Sequence, residues 1–169
     1  MEFKEYLLKR KKTGKEVALT VLLYLAALII GIICFVALAS FGGIGALLAV
    51  GCFYGAYRIS SKFNCEYEYI ITGEFVDIDA IYNASNRKRL VSFAMSDVEL
   101  IASVNDNNHN FRLNGEYKKV IDATTGYNSS AIYFAIVEKG GKTLVKFEPP
   151  HAALEALRKY APSKVIITD

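Results

Sequence analysis

The chain has 169 residues, 53% of them hydrophobic, and a formal net charge of +3 from 20 Lys and Arg against 17 Asp and Glu. Its length leaves room for one small domain beside any membrane segment. The basic excess is local: residues 1–16 hold six basic and three acidic side chains, whereas residues 60–169 hold 13 and 14. The charge is therefore not gathered on a folded surface with stacking aromatics, which excludes nucleic acid as a partner.

The first segment, EFKEYLLKRKK, places Phe3, Tyr6 and Leu7 at helical spacing among charges. Two readings stand: a helix lying flat in a membrane interface, or a frayed basic tail spanning residues 1–16. Two apolar runs follow, Val17 to Ala39 and Phe41 to Tyr57, and neither contains Asp, Glu, Lys, Arg or His. A helix of about 20 apolar residues crosses a hydrocarbon core of roughly 30 Å with its backbone polar groups paired internally. The second run is shorter and needs Arg58 and Ile59 to reach spanning length, so the expected transmembrane hairpin covers residues 17–59. A cleaved signal peptide is the alternative for the first run, but its apolar centre is about 7 to 15 residues, shorter than this one.

Lys9, Arg10, Lys11, Lys12 and Lys15 precede the first run, with Lys4 further upstream, and Arg58 and Lys62 follow the second. These are the expected membrane-surface anchors. The link between the runs carries no charge, so the positive-inside rule puts both termini in the cytoplasm and a tight turn around Ser40 to Gly43 outside. The expected location is the cell membrane, spanned twice. Gly42, Gly45, Ala49, Cys52 and Ala56 recur at intervals of three and four, Gly51 and Gly55 form a GxxxG on a neighbouring face, and Ala27, Gly31 and Cys34 make a similar strip on the first run. Small residues let membrane helices approach closely. Closure of the hairpin is their simplest use, and homodimerisation through Gly51 and Gly55 is the second.

Cys34, Cys52 and Cys65 have no CxxC spacing, and His109 and His151 are far apart without nearby Cys, so neither a structural disulfide nor a metal site is expected. The loop DNNHN sets Asp106, Asn108 and Asn110 at alternate positions. Phe111 stands where a calcium loop needs Gly, so a solvated turn is expected instead.

From Ser60 the pattern changes from continuous apolar to alternating. Cys65, Tyr67, Tyr69 and Ile71 share one face, Val76, Ile78 and Ala80 another, and Gly73-Glu74 between them suits a two-residue hairpin. Further strands are expected at Lys88 to Met95, Val98 to Val104, Tyr117 to Ala123, Ala131 to Glu138 and Lys142 to Phe147, the last two joined by Lys139-Gly140-Gly141. Pro149 and Pro150 then open a helix whose Ala153, Leu154, Leu157, Tyr160 and Ala161 share a face, until Pro162 ends it. About seven strands closed by one amphipathic helix, over residues 60–169, describe a bent antiparallel sheet whose open end the helix covers.

The succession YEYIITGEFVDIDAIY, KRLVSFAMSDVELIASV, AIYFAIVEKGGKTLVKFEPP and HAALEALRKY resembles the pleckstrin-homology (PH)-like domains that bacteria attach to short membrane hairpins. The whole chain is similar to a family of small, uncharacterised two-span membrane proteins from Gram-positive anaerobes. The resemblance rests on element order and strand pattern. It implies an α+β membrane protein, with a two-helix transmembrane hairpin followed by a PH-like antiparallel β-barrel or sandwich and a C-terminal helix.

No GxSxG, HExxH, P-loop or GxGxxG is present. Asp77 and Asp79, two apart on one strand, read as a solvated face rather than an acid and base. No enzymatic activity, catalytic residue or cofactor is expected. The expected function is a membrane-tethered binding or scaffolding module at the inner membrane face, with membrane lipids and either a protein partner or a second copy as its contacts. The resemblance implies head-group binding by basic strand loops, for which Arg87, Lys88 and Arg89, in an expected turn from Asn86 to Arg89, are the candidates; a plain hairpin tip is the preferred reading of that turn. A lipid head-group sensor and an accessory subunit of a transport or secretion complex are the alternatives. The spans lack an ionisable residue to move a substrate, which argues against transport by this chain alone.

Overall fold

The computed structural model describes residues 3–38, 41, 43–127 and 130–167. The expected turn at Ser40 and Gly42 and the Asn128 start of an Asn-Ser-Ser sequon lie outside the described residues. The chain divides into two compact units, residues 12–65 and residues 1–11 with 66–169.

The first unit is a helical hairpin, α1 (Gly14–Ala37) and α2 (Ile44–Ser60). Helix α1 starts three residues before the apolar run because Thr13 and Glu16 form a capping box. The Thr13 N–H donates to Glu16 Oε2 at 2.8 Å, and the Glu16 N–H to Thr13 Oγ1 at 3.3 Å. Helix α2 starts later than the apolar run, after Gly43, whose φ of +92° suits glycine. Gly45 is the closest approach: a Cβ there would lie 2.6 Å from the Cys34 carbonyl oxygen, and one at Gly31 would lie 3.5 Å from Ala49 Cβ. At the other end of the hairpin Tyr24 Oη and Ser60 Oγ are 3.5 Å apart. Much of the remaining surface of both helices is apolar and exposed, including Leu22, Ile29, Ile33, Leu47 and Val50. Helix α1, and α2 together with the 3-10 turn that continues it to Phe63, are long and apolar enough to cross a membrane, by length and composition.

Among the described residues the second unit contains eight strands and an α-helix: β1 (Phe3–Lys9), β2 (Cys65–Thr72), β3 (Phe75–Tyr82), β4 (Asn86–Ala94), β5 (Val98–Ser103), β6 (Lys119–Asp122), β7 (Tyr133–Glu138), β8 (Lys142–Phe147) and α3 (His151–Tyr160). They form two four-stranded sheets, ordered β1-β2-β3-β4 and β5-β7-β8-β6. The expected strands are thus joined by an eighth, and the β6–β8 pair is parallel.

That eighth strand corrects the reading of the N-terminal segment. Residues 3–9 form neither a helix nor a tail; they pair antiparallel with β2, from Phe3↔Thr72 to Lys9↔Glu66. Exposure alternates accordingly, with Lys4, Tyr6 and Leu8 half-buried and Glu5, Leu7 and Lys9 exposed. The physical reason is long-range: β2 needs a partner on its outer edge, and the strand that supplies it lies before the hairpin. The helical hairpin is therefore inserted between two adjacent antiparallel strands of one sheet.

Strand β7 is buried along five consecutive residues, as a central strand covered on both faces must be. One face joins Phe134 and Ile136 to Leu100, Ala102 and Leu144, covered by Val104, Leu113, Tyr117 and Ile166. On the other side the two sheets meet at Tyr69 and Phe147, whose rings pack edge to face with centroids 6.0 Å apart. The Tyr69 hydroxyl donates to the Ala123 carbonyl at 2.7 Å and accepts from the Glu148 N–H at 3.1 Å, linking the two sheets through buried groups. In α3, Ala153, Leu154, Ala156 and Leu157 are buried. Tyr160, expected on that face, is instead 52% exposed.

Candidate functional site

The basic triplet does not sit in a turn. The turn after β3 uses Asn83, Ala84 and Ser85, with Asn83 and Ala84 in the left-handed region at φ +52° and +51°, and Asn86–Ala94 is already strand. In register Arg87 faces Ile81, Lys88 faces Ala80 and Arg89 faces Asp79. Alternation along a strand then sends Arg87 and Arg89 to one face and Lys88 to the other, so the three cations do not converge on one ligand.

On the arginine side the sheet carries an ion-pair ladder. Both oxygens of Glu68 lie within 2.8 Å of Arg87 Nη2, and Arg87 Nε is 3.9 Å from Asp79. Arg89 meets Asp79 through Nε and Asp77 Oδ2 through Nη1, the latter at 2.9 Å. Glu68 is 2% exposed and Asp79 1%, although both belong to the sheet face opposite the core-directed Tyr69 and Ile78. Asp79 is therefore a buried partner of arginine rather than part of a solvated face. Burial pushes the Glu68 carboxyl above its ordinary value, a hydrogen bond with Glu5 adds to the rise, and Arg87 opposes it.

Lys88 lines a different feature, a cleft of about 300 Å³ between β4 and β6 that also includes Arg89, Leu90, Lys119, Val120, Ile121 and Asp122. Leu90 is the extra residue of a β-bulge, because Asp79 pairs with Arg89 while Ile78 pairs with Val91. A second cleft of about 280 Å³ has the Glu99 carboxylate between Arg112 and Lys142, the latter at 3.0 Å. These two cations hold Glu99 below the usual carboxylate range.

The expected membrane-surface anchors fall into two groups. Lys15 and Lys12 precede or open α1, and Arg58 and Lys62 close α2, where Arg58 in the last turn also suits the helix dipole. Lys9 lies opposite Glu66 in the sheet, and Arg10 is half-buried. The Lys11 N–H donates to the Thr125 carbonyl, and its Nζ sits 5.6 Å from the Tyr127 ring centroid. Of the small residues, Gly45 and Ala56 are buried in the hairpin, with Ala49 and Cys52 half-buried beside them. A Cβ at Gly51 or Gly55 would meet nothing within 4 Å. The three cysteines are free thiols.

The DNNHN loop is a turn built on its own side chains. Asp106 accepts from the Asn108 N–H at 3.0 Å and lies 2.6 Å from His109 Nδ1, which lowers its pKa. Among the described residues no group of three His, Cys, Asp or Glu side chains is arranged to hold a metal.

Residues 2–167 match the family model described as a bacterial PH-like domain (DUF6106). The chain belongs to that family. No curated protein and no solved structure matches it. Membership accounts for the two sheets and the closing helix of the PH-like domain, and for an architecture that serves binding or scaffolding. The family match takes in the helical hairpin and β1 as well as the C-terminal sheets, so the insertion belongs to the family pattern.

Sequence reasoning missed three features of this surface. The buried Glu68 looks like any outward residue of an alternating strand, because what covers it comes from β4. The cleft between β4 and β6 joins residues thirty positions apart. Only the third, β1, left a local signal: Tyr6 and Leu8 alternate with Glu5, Leu7 and Lys9.

Proposed function

We propose that this protein is a membrane-tethered binding module, in which α1 and α2 cross the cell membrane and the PH-like domain works at its cytoplasmic face. The observation that carries the proposal is the placement of the hairpin between β1 and β2. Two spans return the chain to the side it left, and strands that must pair in one sheet require that return. The exposed apolar surface of both helices supports burial in lipid, and the basic flanks support the cytoplasmic side. Protein recognition is favoured over head-group binding, since Arg87 and Arg89 are already committed to Glu68, Asp77 and Asp79. The carboxylates of that ladder are likewise matched by arginines, which supports a role other than catalysis.

Expression in a eukaryotic secretory membrane tests this directly, because Asn83-Ala84-Ser85 in the β3–β4 turn is a glycosylation sequon. The expected result is a protein that resists alkaline carbonate extraction and carries no glycan at Asn83. Carbonate release would overturn the tether, and glycosylation would overturn the orientation.

A further inference from the structure

The four edges of the two sheets are not treated alike. The outer edge of β5 is covered by the chain itself: the Ile101 N–H donates to the Lys164 carbonyl at 2.7 Å, and the Ile166 N–H to the Ile101 carbonyl at 2.8 Å. Edge strands β4 and β6, by contrast, face each other across the cleft, each paired on one side only among the described residues. Exposed edges carry a row of backbone donors and acceptors ready to pair with another strand. The cleft adds an apolar strip, Leu90 and a 57% exposed Val120.

The charges in the cleft are of two kinds. Arg89 is occupied by Asp77 and Asp79, and Asp122 accepts from the Thr124 N–H at 3.0 Å and its hydroxyl at 2.7 Å. Lys88 and Lys119 are exposed and have no partner among the described residues. The cleft thus offers two open ammonium groups beside an apolar strip and an unpaired backbone edge.

We propose that the cleft between β4 and β6 takes, by strand addition, an extended segment of a partner protein in which acidic residues alternate with apolar ones. A segment added to the β4 edge lies along the cleft that Leu90, Val120, Lys88 and Lys119 all line, so its apolar residues have Leu90 and Val120 to rest on and its carboxylates have Lys88 and Lys119 to meet. Backbone pairing supplies the binding mode and the two lysines supply the choice of partner. The proposal rests on the binding-module reading above and names the partner class for it. The competing use of edge lysines is protection against self-pairing, and it predicts a different response.

The test uses the full chain in mild detergent and a fluorescent peptide of about eight residues alternating Val and Glu, followed by anisotropy. Saturable binding is expected, about tenfold or more weaker when Lys88 and Lys119 are both replaced by Glu and weaker at high salt. The double replacement should accept a Val and Lys peptide instead, and a Pro at the peptide centre should abolish binding to either form. Indifference to the charge exchange, or equal binding of the Pro peptide, would overturn strand addition. Self-association of Lys88→Ala/Lys119→Ala with no peptide binding by the parent would assign the lysines to edge protection and overturn the proposal. Loss of binding to anionic phosphatidylglycerol vesicles in the double Glu variant, with no peptide bound by the parent, would give the cleft to lipid and overturn it too. Each of these failures leaves the carbonate and glycosylation results, and so the tethered-module reading, untouched.

Discussion

Excising residues 10–65 and joining Lys9 to Glu66 through an Asn-Gly turn should yield a water-soluble, cooperatively folding PH-like domain. Lys9 and Glu66 are register partners, and directly opposed residues of an antiparallel pair have Cα atoms about 4.5 to 5.5 Å apart, so two residues bridge them. Shortening the connection from about 55 residues to two lowers the closure entropy by about 3 kcal/mol at most, since a folded hairpin already holds its own ends together. The informative comparison is with residues 66–169 alone, which lack β1. Tyr6 and Leu8 are half-buried, and half-burial of two such side chains contributes about 2 kcal/mol. The hydrogen bonds of β1, at about 1 kcal/mol each, are roughly offset by the backbone entropy of ordering it. Loss of β1 should therefore lower the urea midpoint by about 1 M. Urea unfolding followed by tyrosine fluorescence and far-UV circular dichroism measures both forms. Equal midpoints would refute the assignment of β1 to this domain, and a non-cooperative transition in the spliced form would mean that the helices complete its core.

Gly45→Val should destabilise the hairpin, because its Cβ must move roughly 0.8 Å from the Cys34 carbonyl to reach ordinary contact near 3.4 Å, whereas Gly51→Val and Gly55→Val should not; thermal loss of helicity in detergent separates them. Glu99 is held below its ordinary 4.5, so its stabilisation is present above about pH 4.5 and lost as pH falls through the lower folded value. Glu99→Gln should therefore cost a few tenths to about 1 kcal/mol at neutral pH and nothing once the pH has fallen below the folded value, read from urea midpoints across an acid titration.

The sequence made the locally encoded parts of the fold legible and hid those that depend on contacts far along the chain. Continuous apolar runs marked both helices, and Gly73 and Gly140-Gly141 marked two hairpins because a positive φ is needed there. The third hairpin was displaced toward the basic residues. Its left-handed positions are Asn83 and Ala84, and while Asn is a recognised signal for that conformation, Ala is not. Strand β1 was misread because seven residues hold too few periods to separate a 3.6 from a 2.0 repeat. The basic triplet was legible as charge but not as geometry, since its neutralising carboxylates lie on two other strands. Tyr160 follows the helical repeat of α3 yet lies at its end, where the surrounding chain no longer covers it.

The position of β1 also sets an order on synthesis. This strand emerges from the ribosome before both apolar helices, and the residues it must pair with follow only after those helices have been made. Until then its hydrogen-bonding groups have no partner in the sheet they belong to, and the Phe3↔Thr72 pair is among the most distant contacts that sheet must form. Contacts of long sequence separation form slowly because loop closure precedes any gain from them. The helical hairpin is thus synthesised before the first sheet can begin, and the domain takes shape around a strand held in waiting.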